Sequence, residues 1–378
     1  MNDLQKRSWA EISLPNLRHN YQQIRASLPE GCRFLGVVKA DAYGHGALTV
    51  SRFLQEIGAD YLAVSCLDEA LELRRGGIHM PILILGHTPP EYTETLIEND
   101  ITQTVSALAK AAQYSEAATT LGKTLRIHIK LDTGMSRLGF LCAGNYFESG
   151  VSNLLRTLAL PHLACEGIYT HFAVSDEPDP ASEDYTRGQF KLFTDVIAAV
   201  EGKGGFRFSI RHCANSGAVV SYPEMALDMV RPGLLLYGYG DTSGKLDLRP
   251  CMRLVTTVST IKIYEPGTYV SYGRRYVTEG KTRMGVLAIG YADGLPRLIS
   301  NKCRFAVPGG FAEQRGTICM DMCMVDLTGL PQVDVGSEIE LFGEENSLLQ
   351  LSDAAQTIPY ELLCAVSKRV PRVYIEIE

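Results

Sequence analysis

A chain of 378 residues, 46% hydrophobic and 21% charged, carries enough apolar side chains for about two packed domains. Its net charge of -7 and the lack of a basic stripe argue against a nucleic-acid partner. No apolar run reaches the ~18 residues of a membrane span, so no membrane partner is expected.

Ser13 followed by Pro15 reads as a helix cap with a first-turn proline, and Leu17, Tyr21, Ile24 and Leu28 keep helical spacing. From Phe34 onward short apolar runs alternate with helical patterns. Strands are predicted at 34–39, 61–65, 81–85, 101–105, 125–131, 166–171, 208–213 and 228–230. Helices are predicted between them, at 46–57, 68–76, 90–98, 106–121, 144–158, 183–203 and 216–221. Eight β-then-α units are the rhythm of a (β/α)8 TIM-type barrel. The turn-rich stretch Gly238 to Gly244 then marks a boundary. The barrel is assigned residues 1–238, with residues 1–12 a candidate strand of the other domain. Residues 239–378 form a mainly β C-terminal domain, barrel or sandwich, with strands at 252–264, 283–290, 303–307, 315–327, 338–342 and 372–377 and a helix at 352–366. The ten cysteines lack metal-ligand spacing. Cys319 and Cys323 lie four apart in the predicted 315–327 strand, so no metal is expected. The polar stretch Met1 to Ser8 has no apolar centre of a secretion signal, and a cytoplasmic protein with reduced, buried thiols is expected.

Barrel enzymes place their chemistry at the C-terminal ends of the strands. Strand one ends at Lys39, with Tyr43 beyond it, and the loop after strand two carries Asp68. Strand five ends in Asp132-Thr133-Gly134-Met135-Ser136-Arg137 and strand six in Tyr169-Thr170-His171-Phe172. Strand seven ends in His212-Cys213-Ala214-Asn215-Ser216-Gly217, and strand eight in Val230-Arg231-Pro232-Gly233. A lone lysine at a strand end is ordinarily a snorkelling surface cation. Here Ser216-Gly217 and Gly233-Leu234 lie in the two loops where barrels bind phosphate. A desolvated lysine facing a bound phosphate suits a Schiff base with pyridoxal phosphate.

Val38-Lys39-Ala40-Asp41-Ala42-Tyr43-Gly44-His45-Gly46 resembles the cofactor-lysine signature of the alanine racemases. Asp132 to Gly139, Thr170 to Ala173, Ala214 to Ser216 and Val230 to Gly233 resemble further family segments in order. So do Ser271 to Gly273, Gly290 to Gly294, Cys319 to Asp321 and Thr357 to Glu361, so the resemblance spans the chain. It implies a homodimer with shared active sites, a small amino-acid substrate, pyridoxal 5'-phosphate as cofactor, and D-alanine as a product for peptidoglycan. By the same resemblance Lys39 carries the cofactor and acts as one base, and Tyr272 of the partner subunit is the second base on the opposite face. Arg231 partners the pyridine nitrogen, with His171 in the chain that lowers the tyrosine pKa. Tyr43, Ser216, Gly233, Leu234 and Tyr360 contact the phosphate. Arg137 contacts the cofactor phenolic oxygen and the substrate carboxylate, and the Met320 backbone is a second carboxylate contact. Tyr291 and Tyr360 narrow the entrance, Asp321 positions Tyr272, and Lys130 stands where some members form a carbamate that neutralises Arg137. His45 and His212 are expected to be hydrogen-bonded structural histidines. Two departures stand out. Thr317 replaces an arginine near the entrance, and Ser136 replaces a frequent glycine, tolerable if its backbone angle is negative. A serine or broad-specificity racemase, a barrel-type pyridoxal-phosphate decarboxylase and a non-enzymatic carrier of the cofactor are the alternatives.

Overall fold

The computed structural model describes residues 7–241 and 243–376. It divides into two compact units. One comprises Arg18–Ala42 and Ala47–Leu248; the other comprises Tyr43–Gly46, Arg249–Glu378 and Met1–Leu17, within the described residues.

The first unit is a parallel barrel. Its strands are β1 (Arg33–Val37), β2 (Tyr61–Val64), β3 (Ile82–Ile84), β4 (Ile101–Val105), β5 (Leu125–Asp132), β6 (Leu163–Tyr169), β7 (Ile210–His212) and β8 (Met229–Val230). Each pairs with the next in parallel from β1 to β7, and β8 returns to pair with β1. No continuous ladder joins β7 to β8, but Asp228 N–H donates to Arg211 O at 3.1 Å and Arg231 N–H to Ala214 O at 2.9 Å, so the ring is nearly closed. The strands are buried on both faces because helices cover the outside and side chains fill the inside; all of Ile101–Val105 is buried, its polar Thr102, Gln103 and Thr104 included. The expected helix at 183–203 starts earlier, at Pro180. Asp179 accepts from the N–H groups of Ala181 and Ser182, and Pro180 supplies a first-turn φ without wasting a donor. The expected helix at 90–98 divides into a 3-10 turn, Pro90–Tyr92, and a helix, Thr93–Glu98.

In the second unit the long strand Met252–Tyr264 organises a closed antiparallel ring. Its first half pairs with Glu338–Phe342 and its second half with Thr282–Leu287. The circuit continues through Cys323–Asp326, Gly310–Arg315 and Arg304–Val307, which returns to Glu338–Phe342. Register shifts near Leu254 and Val258 give the strand the bend that closure needs. The structure therefore selects a barrel over a sandwich. Ser8–Ser13 pairs antiparallel with Met252–Tyr264 and parallel with Arg372–Ile375. Ser13 Oγ caps the following helix by accepting Asn16 N–H at 3.1 Å. Two expectations are corrected here. The stretch 315–327 is no continuous strand: Gly316, at φ +79, ends one strand, and the next begins at Cys323, so Cys319 lies in a loop. The 352–366 helix is two helices, Leu348–Ala354 and Pro359–Ala365, because a residue preceding proline is driven out of the helical region and Ile358 is extended. Among the described residues no helix is long and apolar enough to cross a membrane.

After β5 the chain doubles back so that Phe140–Leu141 pairs with Leu131–Asp132. Gly139 makes this approach at φ +134, and a Cβ there would overlap the backbone of Leu131 and Asp132. Gly139→Ala should cost roughly 2–4 kcal/mol and lower Tm by about 5–10 °C in a thermal melt followed by circular dichroism.

Candidate active site

Lys39 is half-buried at the end of β1. The chain after it makes a left-handed helical turn: Ala40, Asp41, Ala42 and Tyr43 all have φ of +52 to +55. Left-handed backbone costs roughly 1–2 kcal/mol per non-glycine residue, so this turn persists only because its surroundings hold it. In the barrel unit Glu69 does much of the holding. Its two carboxylate oxygens accept Ala40 N–H and Ser65 N–H, each at 2.7 Å. Asp41 Oδ1 accepts Ala47 N–H at 2.8 Å, which fixes the start of the next helix. The sequence points to Asp68 in this loop; the residue that reaches the lysine turn is its neighbour. Its signal was a carboxylate in the first turn of a helix that opens at the barrel mouth.

Arg231 lies buried at the end of β8. Its Nη2 donates to the carbonyls of Thr170 (2.8 Å) and Cys213 (3.0 Å) and lies 3.4 Å from His171 Nδ1. Its Nη1 lies 3.0 Å from His212 Nδ1. A guanidinium only donates, so Nδ1 of both histidines accepts. His212 Nε2–H then donates to His128 Nδ1 at 3.0 Å, and all three rings are neutral. Burial, reinforced by the Arg231 charge, pushes the pKa of His171 and His212 well below the ordinary range and that of His128 down to about 3. The Tyr169 ring stacks on His212 and lies under Arg231, while its hydroxyl bonds Thr104. His212 is thus hydrogen-bonded and structural, as expected. His128 was not singled out, and Tyr169 was named only as part of a strand end, since each alone looks like ordinary core.

Asp132 at the end of β5 accepts the N–H groups of Gly134 and Ser136, both at 3.0 Å. This clamp holds Ser136 at φ +55, so the negative angle set as the condition for an easily tolerated serine is not met. Arg137 beside it is exposed and makes no hydrogen bond or ion pair among the described residues. Lys130 is buried over the Tyr169 ring. Burial, then Arg137 and Arg231, lower its pKa to about 8, with a smaller push from Lys39 and opposition from Asp132. Gln189, also missed, ties His171 O and Ala173 N–H to this end of the barrel. Ser216 Oγ accepts Gly233 N–H at 2.9 Å, joining the loops after β7 and β8, and Leu234 follows at the start of a 3-10 turn.

The second unit holds the remaining candidates. Tyr43 is buried with its ring 5.7 Å from that of Tyr360, and burial pushes its pKa up, so the phenol stays protonated. His45 Nδ1 bonds Tyr43 O at 3.0 Å. Tyr272, Tyr291 and Met320 are exposed. Tyr291 N–H and Ala292 N–H donate to Cys319 O and Met320 O, both at 3.0 Å. Asp321 pairs with Arg369 at 2.7 Å and makes no bond to Tyr272. Arg369 and Arg7 also grip Asp293, which accepts Gly290 N–H as well. Burial raises the Asp293 pKa, but these donors outweigh it and hold the carboxyl below its usual range.

Residues 12–241 match a family model for the alanine racemase N-terminal domain, and residues 251–374 one for the alanine racemase C-terminal domain. The chain belongs to the alanine racemase family. It is 44% identical over 372 residues to alanine racemase of Desulfovibrio desulfuricans, covering 97% of this chain and 98% of the relative. Alanine racemase of Clostridium difficile 630 has a similar structure, with a TM-score of 0.93 at 39% identity, covering 99% of this chain and 97% of the other. The alanine racemase of D-cycloserine-producing Streptomyces lavendulae gives 0.92 at 36%, covering 100% and 99%. Thr317, the position that the sequence marked as a departure, is buried, and its hydroxyl donates to Tyr272 O.

Lys130 has a folded pKa of about 8 against 10.5 for the free side chain. Between those values the unfolded chain binds more protons, so stability rises with pH; below about pH 8 the full cost is present. Lys130→Met should therefore raise Tm at pH 7, with the gain shrinking as pH rises from 8 to 10.5 in a series of thermal melts.

Proposed function

We propose that this chain interconverts L- and D-alanine with pyridoxal 5'-phosphate, using Lys39 and Tyr272 of the partner subunit to exchange the Cα proton on opposite faces. The observation that carries the reading is the strained, carboxylate-held turn at Lys39, in a chain whose barrel and β domain both match alanine racemases. The donor set fits the cofactor. The four bonds of Arg231 use its terminal nitrogens and leave Nε–H for an acceptor such as a ring nitrogen. Ser216 accepts through its oxygen, which leaves its hydroxyl hydrogen to donate to a phosphate. Gly217 packs so closely on Ser175 and Asp176 that a Cβ would crowd them.

When bound, pyridoxal phosphate supplies the electron sink for the pair left on Cα. The protein supplies the rest. Removing a proton on one face and returning one on the other requires two acid–base groups, because the substrate does not turn over. Arg231 stays protonated and donates a hydrogen bond without giving the ring nitrogen a proton, which restrains the sink and favours proton return over side reactions. An unperturbed tyrosine titrates near pH ~10, so Tyr272 needs a hydrogen-bonding or cationic neighbour, assigned here to the neutral His171 ring backed by the Arg231 cation. Following the resemblance, Ser216, Leu234, Tyr43 and Tyr360 hold the phosphate. Gly233 joins them by exchanging its present bond to Ser216. Arg137 and the Met320 backbone hold the substrate carboxylate, Tyr291 and Tyr360 narrow the entrance, and Asp321 orders it through Arg369. A lowered pKa leaves Lys130 partly unprotonated near neutrality, and a neutral amine adds carbon dioxide with loss of a proton; the carbamate would neutralise Arg137.

The homodimer is supported by the exposed Tyr272, Tyr291, Met320 and Met322, an apolar set of the kind that marks an interface. The activity suits a cytoplasmic supply of D-alanine to peptidoglycan. L-Serine is the nearest competing substrate, since an apolar pocket discriminates only modestly against an added hydroxyl. The ratio of kcat/KM for L-alanine and L-serine decides between them, and alanine is expected to win; carbon dioxide release would instead identify a decarboxylase.

Lys39→Ala should abolish racemisation and the long-wavelength absorbance of protein-bound pyridoxal phosphate. Tyr272→Phe should keep that absorbance but lose roughly 100- to 10,000-fold in kcat/KM. Undiminished turnover in Tyr272→Phe would sink the two-base reading.

A further inference from the structure

We infer that Thr317 is a positioning residue for Tyr272, acting through a reciprocal clasp on the Ser271–Tyr272 turn; the inference rests on the racemase reading above. The Thr317 hydroxyl donates to Tyr272 O at 2.7 Å, and the Ser271 hydroxyl donates back to Thr317 O at 2.6 Å. Ser271 Oγ also lies 3.4 Å from Cys319 Sγ. Thr317 is 1% exposed, which shelters its side of both bonds from bulk water. The turn that it clasps is strained: Ser271 has φ +66, Gly273 φ +72 and Arg274 φ +52. Such backbone persists only where its neighbours over-determine it.

The Tyr272 ring has no such support. It is 69% exposed, and among the described residues its hydroxyl makes no hydrogen bond. Within its own subunit its direction is therefore set from the backbone outward. A rotation of about 10° at the backbone carries a tyrosine oxygen by roughly 1 Å, a misplacement that can cost on the order of 100-fold in rate. The strap that carries Thr317 is itself anchored. Gly316 N–H donates to Asn301 Oδ1 at 2.6 Å, and Ile318 N–H donates to Ser300 Oγ at 3.0 Å. The same strap accepts the N–H groups of Tyr291 and Ala292 through Cys319 and Met320. Thr317 thus ties the phenol that takes and returns the Cα proton to the segment that presents the substrate-facing groups. The transfer balances: the Cα–H bond breaks as the deprotonated Tyr272 oxygen takes the proton, the electron pair stays on Cα, and Lys39 delivers its own proton to the opposite face; the other enantiomer runs the same two transfers in reverse.

Thr317→Val removes the hydroxyl and keeps the shape; Thr317→Ser keeps the hydroxyl. Steady-state kinetics of the holoenzyme are measured with L- and D-alanine carrying hydrogen or deuterium at Cα, with circular dichroism and cofactor absorbance recorded for each variant. Thr317→Val is expected to lose about tenfold or more in kcat with KM within about twofold. Its deuterium isotope effect should rise for the enantiomer whose proton Tyr272 removes and stay unchanged for the other. Thr317→Ser should recover activity to within about threefold of wild type. Wild-type kcat and isotope effects in Thr317→Val, or a rise shared equally by both enantiomers, would overturn the inference. Should Thr317→Val fail to fold, Ser271→Ala removes the reverse bond and is read by the same two isotope effects. An impaired Tyr272→Phe beside an unimpaired Thr317→Val defeats this inference alone, whereas a fully active Tyr272→Phe defeats the two-base reading beneath it.

Discussion

The buried Arg231 guanidinium is the group around which the barrel mouth is arranged. A charge taken out of water is tolerable only if its hydrogens are satisfied and its neighbours yield. Both conditions are visible. The terminal nitrogens of Arg231 bind the ends of β6 and β7 through Thr170, His171, His212 and Cys213, so the cation also draws together strands that share no continuous ladder with β8. The neighbours yield by staying neutral. His171, His212 and His128 are all held unprotonated, and Lys130 is moved toward its neutral form. Burial first, and this fixed charge after it, keep the cluster neutral or push it toward neutrality.

Backbone strain is the second organising feature. Among the described residues, twelve non-glycine residues have positive φ, and seven of them lie in the proposed site segments: Ala40 to Tyr43, Ser136, Ser271 and Arg274. Each strained turn has a named restraint. Glu69 and Asp41 hold the lysine turn, Asp132 holds Ser136, and Thr317 with Ser271 holds the turn at Tyr272. Strain offset in this way removes alternative conformations, so the side chains that follow it point in one direction at no further entropic cost.

Much of the fold was legible because its signals are local. Alternating apolar runs and helical periodicities mark the eight β/α units, and a cap and proline at Ser13 and Pro15 mark the first helix. The failures are local too. Pro359 interrupts a helix that periodicity alone continues, and Gly316 ends a strand within an apolar run. Among the candidate site residues, Lys39, Arg231 and His171 were singled out because they cluster at the strand ends in segments that resemble the family's, since a polar group at one strand end is common by itself. Glu69, Gln189, His128 and Tyr169 were not, because each matters through a partner tens of residues away; Glu69 reaches back to Ala40, and His128 forward to His212.

By itself, the sequence determined the parallel barrel, the mainly β second domain and the family, since apolar periodicity and contiguous motifs are written along the chain. Only the tertiary structure decided that the second domain closes as a ring, that Ser136 adopts a left-handed backbone, and that Thr317 is buried with its hydroxyl on Tyr272 O. The physical reason is the same in each case. Closure, backbone handedness and hydrogen-bond partnership depend on which distant groups meet in space, and a residue's type states what it can donate or accept without stating to whom.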